Sequence, residues 1–175
     1  MNKIQQAFVW LRRIFHCRGF GIQSPTDYSF VRNVVNEHSP YYAYGEVGQG
    51  DAWLRRKKGR LLFRLANYVQ PDTIVDYAGY ADYLSAGCRH AVITHDVVSV
   101  NGTSLIVVPA ADTSAALLAA CQPGSMLVVE DIASHKRQWQ TVVQQPRATI
   151  TFDLYYCGIV SFSPERSKQH YIVNF

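Results

Sequence analysis

The chain has 175 residues, 48% of them hydrophobic, 13% aromatic and 17% charged, with a formal net charge of +4 at pH 7. That balance gives enough apolar surface to offset chain entropy, which excludes a disordered, collagen-like or disulfide-stapled chain and favours one domain. No apolar run approaches the ~18 residues of a membrane span and the first residues lack the continuous apolar core of a secretory signal, so a soluble cytoplasmic protein is expected.

Taken in chain order, Ile4, Ala7, Phe8, Leu11, Ile14 and Phe15 recur at helical spacing with Arg12 and Arg13 on another face. This predicts an amphipathic N-terminal helix whose stripe packs on the domain or on a second subunit, or else lies on a membrane. Gly19 and Gly21 break it. Ser24-Pro25-Thr26-Asp27 then reads as a helix start, with Ser24 as cap, Pro25 at the first helical position and Asp27 completing a capping box. Residues 39–51, SPYYAYGEVGQGD, lack periodicity and read as an ordered loop. A third helix is expected from about Ala52 to Tyr68, ended by Gln70-Pro71-Asp72.

From there the pattern changes. TIVDY (73–77), HAVIT (90–94), SLIVV (104–108) and SMLVV (125–129) are short strands apolar on both faces, as in a buried, largely parallel sheet. Helices fit between them at 81–88, 112–121 and 134–144. ATITFDL (148–154), GIVSFS (158–163) and QHYIVNF (169–175) have no helices between them and predict antiparallel closure at a sheet edge. Only nine residues separate Thr94 from Ser104, and VVSV (97–100) and TSLIVV (103–108) flank Asn101-Gly102, a hairpin signal. An antiparallel irregularity is therefore expected there. The organisation reads as an N-terminal helical segment, 1–70, packed on an α/β core, 71–175, in one compact domain.

Charge is uneven along the chain. Residues 1–70 carry 11 Lys/Arg against 4 Asp/Glu, and residues 71–175 carry 6 against 9. Much of the excess is the run Arg55, Arg56, Lys57, Lys58, Arg60 and Arg64, which reads either as a dock for a polyanion or as a solvated helix face. The four cysteines and six histidines show no CxxC or HxxxH spacing, so no local metal cluster is expected and the cysteines read as buried thiols. Neither a GxSxG nucleophile turn nor a GxxxxGK[ST] loop is present.

Three stretches carry a family resemblance: GFGIQSPTDYSFV (19–31), GRLLFRLANYVQPDTIVDYAG (59–79) and the C-terminal segment from Val128 to Phe175. Together they resemble a class I S-adenosylmethionine-dependent methyltransferase family of Bacteroides-type bacteria. The resemblance implies a Rossmann-like, methyltransferase-type sheet, here truncated and preceded by N-terminal helices, with its ligand beyond the carboxyl ends of the parallel strands. It implies a donor site at Asp76, Gly79, Tyr80 and Asp96, the first acid preceding a Gly-rich turn and the second receiving ribose hydroxyls. This chain departs from the pattern. The turn Asp76-Tyr77-Ala78-Gly79-Tyr80-Ala81-Asp82 keeps one glycine, Pro109 stands where an acid is expected, and the span from Asp96 to Ser104 is too short for the family's next elements. Tyr80 either stacks on an adenine or fills the space left by a lost ligand. Glu130 and Asp131, at the end of the fourth strand, can receive a substrate proton or a cation; alternatively, Asp131 caps the following helix and Glu130 is solvated.

Three functions are weighed. The first is a shortened, degenerate methyltransferase-like protein that does not bind S-adenosylmethionine and acts in binding or assembly, a homo-oligomer being one such assembly. The second is an active S-adenosylmethionine-dependent methyltransferase on an unknown acceptor. The third is a nucleic-acid-binding module that uses the basic N-terminal half.

Overall fold

The computed structural model describes residues 3–96 and 102–175. Helices α1 (Lys3–Arg12), α2 (Pro25–Phe30) and α3 (Trp53–Val69) precede the first strand. The sheet comprises β1 (Thr73–Asp76), β2 (Val92–Thr94), β3 (Ser104–Pro109), β4 (Met126–Glu130), β5 (Ile150–Asp153), β6 (Cys157–Ser161) and β7 (Gln169–Ile172). Helices α4 (Ala81–Gly87), α5 (Ala115–Ala120) and α6 (Lys136–Gln144) follow β1, β3 and β4. Strand order is β2-β1-β3-β4-β6-β5-β7. The first four strands are parallel, and β6 is antiparallel to both β4 and β5. This is a mostly parallel α/β sheet compatible with a Rossmann-like fold. Among the described residues no helix is long and apolar enough to cross a membrane.

Alternation along the strands divides the interior into two layers. Ile74, Leu105, Val107 and Val128 point towards α2, α3 and α4, where they meet Val31, Leu61, Leu62 and Leu84. Val75, Ile106, Val108 and Val129 point the other way, towards α5 and α6, against Leu117, Trp139 and Val142. Both faces are covered, so the central strands can be apolar at every position.

Two topological expectations are corrected. β2 and β3 both pair with β1 in parallel, one on each side, and among the described residues no antiparallel strand lies between them. Val97–Val100, the first arm of the expected hairpin, lies outside the described residues. Its second arm is β3, whose edges are both taken, by β1 and β4, leaving none for a hairpin partner. At the carboxyl end, β5 and β6 form the antiparallel pair, but β7 runs parallel to β5. β6 already has β4 on its far edge, so the returning chain takes the free edge of β5, and two reversals restore that strand's direction.

The N-terminal segment is fastened by polar contacts instead of its apolar stripe. Arg13 donates to the Asp153 carboxylate at 2.7 Å and to its carbonyl at 2.9 Å, and Asn174 bonds both His16 O and Trp10 O. Ile4, Phe8, Leu11 and Phe15 remain exposed, Ile4 and Phe15 by nearly four-fifths. The stripe thus does not pack on its own domain.

Ser24 caps α2 as its sequence indicates, accepting from Asp27 N–H at 3.3 Å. Asp27 does not complete the box. Its buried carboxylate turns to the other end of the chain, taking Arg166 on both oxygens at 2.7 and 2.8 Å and the Tyr171 hydroxyl at 3.0 Å. Burial acts to raise its pKa, but the bonds from Arg166, Tyr171 and Ser24 together hold it below the usual carboxylate value. The stabilisation is therefore complete above the unfolded value near pH 4 and fades as pH falls through the lower folded value. Comparing Asp27→Asn with the parent by urea denaturation should give a deficit of about 1–3 kcal/mol at neutral pH. That deficit should shrink on acidification below pH ~4 as the parent loses the same charge.

A second prediction concerns packing. A Cβ at Gly158 in β6 would sit 2.4 Å from the Trp139 ring of α6, so glycine is needed there for close approach. Gly158→Val should lower stability by about 1–3 kcal/mol or more through overpacking, read as a fall in Tm.

Candidate functional site

The carboxyl ends of β1, β3 and β4 share one rim of the sheet, which in open α/β folds is where ligands bind. β1 ends at Asp76, and the turn from Tyr77 to Tyr80 leads directly into α4. So short a turn leaves successive backbone N–H groups without intrahelical partners. Asp76 takes them: one carboxylate oxygen accepts from Ala78 and Gly79 at 3.0 and 2.9 Å, the other from Tyr80 at 2.6 Å. Gly79 has φ +74°, and nothing lies within 4 Å of a Cβ built on it, so the backbone angle and not space calls for glycine. The Asp76 carbonyl receives His95 Nδ1 at 2.5 Å.

Tyr80 is 3% exposed. Its hydroxyl donates to Glu130 Oε2 at 3.3 Å, across the rim from β1 to β4. Lys58 of α3 forms an ion pair with the same oxygen. Arg55, almost one helical turn earlier, lies over the Tyr80 ring at 4.5 Å, donates to Gly79 O at 2.5 Å and faces Asp51 at 3.3 Å. The rim is thus roofed by α3, with Tyr80 as the floor of the contact and two cations above it.

Burial sets the protonation behaviour of this group. It pushes the Tyr80 phenol up to about 12, with the Glu130 carboxylate adding to the effect, so Tyr80 stays a donor. Burial also raises Glu130 against the pull of Lys58, and Glu130 Oε1 has no hydrogen-bond partner. Lys58 is held above its ordinary value because the Glu130 carboxylate outweighs its own desolvation.

Of the residues singled out from sequence, Asp76, Gly79, Tyr80 and Glu130 come together. Asp96 lies past the end of β2, exposed, with its N–H donating to Thr94 Oγ1 at 3.1 Å. Asp131 is exposed at φ +58°, accepting from Ser134 Oγ at 3.0 Å and facing His135 at 3.8 Å. It does not cap α6, whose N-cap position is His135. Nor is Glu130 solvated: it is buried by the roof helix. Pro109 sits beside Glu130 in register. Among the described residues no group of three or more His, Cys, Asp or Glu could hold a metal ion. On the α5 face of the same strands lies a mainly apolar cleft of 520 Å³, bordered by Tyr77, Val108, Asp112 and Leu117.

Arg55 and Lys58 are the site residues that sequence reasoning missed. Their signal was present as an i, i+3 pair in the basic run, where it read as a polyanion dock or a solvated helix face. Comparison with protein-family models, curated proteins and solved structures finds no match for this chain.

The pair makes a measurable prediction. Lys58→Met leaves a buried, unpaired carboxylate and should cost about 3–5 kcal/mol in chemical denaturation at neutral pH. The loss should ease at acid pH as Glu130 takes a proton, and the double variant Lys58→Met/Glu130→Leu should recover most of it.

Proposed function

We propose that this chain is a shortened, degenerate class I methyltransferase-type domain that neither binds S-adenosylmethionine nor catalyses methyl transfer, and that it acts in binding or assembly. The observation that carries this reading is the filled rim. Asp76, the acid expected to serve the donor, has both carboxylate oxygens engaged by the three N–H groups of its own turn. The space next to it is taken by the Tyr80 side chain under Arg55 and Lys58.

Electrostatics supports the same conclusion. A sulfonium is a cation, and entry beside Tyr80 would place it close to the largely buried Lys58 ammonium, where like charges repel, and to the more exposed Arg55 guanidinium. Accommodation would also require breaking the buried pair of Lys58 and Glu130. These residues do not fit the donor. The methyltransferase-type fold assignment rests on the resemblance together with the acid-then-glycine turn after β1 and the antiparallel β6 inserted between β4 and β5.

An assembly role is supported by the exposed apolar stripe of α1, Ile4, Phe8, Leu11 and Phe15, since an apolar surface of this kind marks an interaction site more often than bare solvent-facing surface. A homo-oligomer is the simplest such assembly. Extended nucleic-acid binding is less well supported, because Arg55, Lys58 and Arg64 of the basic run already serve contacts within the fold.

Calorimetric titration with S-adenosylmethionine and S-adenosylhomocysteine, paired with thermal melts, tests the proposal. The expected result is no heat of binding and no rise in Tm at millimolar ligand, since any ligand of the folded state must raise its stability. Micromolar binding of either compound would overturn it.

A further inference from the structure

The roof helix has a second basic face. Arg55 and Lys58 turn to the rim, but Arg56, Lys57, Arg60 and Arg64 border a separate cleft of 440 Å³ between α3 and residues 35–40. The volume suits a small organic molecule. Its walls carry Tyr44, Trp53 and Phe175.

The charges in this cleft are unbalanced. Among the described residues none of the four cations makes an ion pair. Arg64 is spent on neutral partners, donating to Val34 O at 2.6 Å, Val35 O at 2.9 Å and Tyr44 Oη at 3.1 Å. Arg56 donates to Asp51 O at 2.9 Å, and Arg60 lies over the Tyr44 ring at 4.7 Å. Lys57 points its ammonium among the rings of Phe175, Trp53 and Tyr156, at 4.5, 5.1 and 5.8 Å. The acid bordering the cleft is Glu37, whose carboxylate accepts from Ser39 N–H at 2.6 Å and also feels the charge of Arg64. Burial, with a contribution from Arg64, drives Lys57 below its ordinary pKa, the behaviour of a cation lacking a counter-charge.

An independent feature points the same way. The side-chain amide nitrogen of Asn36, which also borders the cleft, is buried and has no hydrogen-bond partner. Leaving a buried donor without a partner is unfavourable, and a turn of the side chain towards the cleft would let a bound anion satisfy it.

We propose that this cleft binds a small organic phosphate carrying a planar ring. The phosphate would sit among Lys57, Arg60 and the Asn36 amide, whose several donors match a tetrahedral anion with three terminal oxygens, and the ring would lie on Trp53 or Phe175. A concave site with a buried amide donor and aromatic walls favours a single small anion over a continuous nucleic-acid backbone, which is held along an extended groove. The proposal does not depend on the closed rim, which lies on another face of α3.

The test uses the intact chain and three probes: adenosine monophosphate, inorganic phosphate and adenosine. Binding is followed by Trp53 fluorescence, against a Trp53→Phe control, and by calorimetry. Adenosine monophosphate should bind at least about tenfold more tightly than adenosine, as expected for charge-assisted bonds to the phosphate. Inorganic phosphate should compete with it. Arg60→Gln should weaken binding by about tenfold with a Tm close to that of the parent. Asn36→Asp, which places a carboxylate where the amide donor stands, should abolish it. Equal binding of nucleotide and nucleoside, no binding of any phosphate at millimolar concentration, or unchanged affinity in both variants would overturn the proposal. So would single-stranded oligonucleotides whose affinity rises with length and falls steeply with salt, which would assign the surface to a polyanion.

Discussion

A buried ion pair holds the architecture of the rim together. Lys58 and Glu130 belong to elements separated by 72 residues, one on the N-terminal helix α3 and one at the end of a central strand. Taking two charges out of water is costly, and their attraction compensates only when geometry is good and remaining groups are satisfied. Here the Tyr80 hydroxyl supplies a third contact, while Glu130 Oε1 goes without. The pair is better understood as a device for position than as a source of stability. It fixes where α3 crosses the sheet, and that crossing decides what the rim can admit.

The consequence is a division of labour around one helix. A turn of α-helix advances 3.6 residues, so neighbouring cations are splayed in different directions. Arg55 and Lys58, three apart, reach the same rim, while Arg56 and Lys57 look into the other cleft with Arg60 and Arg64 below them. The buried side of the helix, with Leu61, Leu62 and Leu65, anchors it to the core and so fixes which way each cation faces. One run of charge thus closes one concavity and lines another.

Much of the fold was legible in the sequence because its signals are local. Runs such as IV (74–75) and LIVV (105–108) are apolar at consecutive positions, as suits a strand covered on both faces, and β1, β3 and β4 are such strands. β2 stands where HAVIT was read but is an edge strand with Val92 exposed. Ser24-Pro25 marked the start of α2 for the same reason: a cap and its N–H groups are three residues apart. Partner choice was not legible. Asp27 has the spacing of a capping box, but its partner Arg166 lies 139 residues away, and periodicity reports a face without saying what meets it. The same limit explains Lys58, which read as surface charge until Glu130 was brought beneath it. Asn101-Gly102 misled in the opposite direction, since a strong local turn signal says nothing about whether the flanking strand already has two neighbours.

The fastening of the amino-terminal segment has a consequence for synthesis. Cys17 bridges Asn174, whose side chain also holds Trp10 O from 164 residues away, and Arg13 is held by Asp153 and Val173. None of these contacts can form until the ribosome has released the carboxyl-terminal strands. At ordinary elongation rates, about 5–20 residues per second, α1 therefore waits on the order of 10–30 s with its polar anchors absent. For that interval the nascent chain presents a basic, apolar helix with no place to dock, which is the kind of segment that chaperones hold and that neighbouring nascent copies capture.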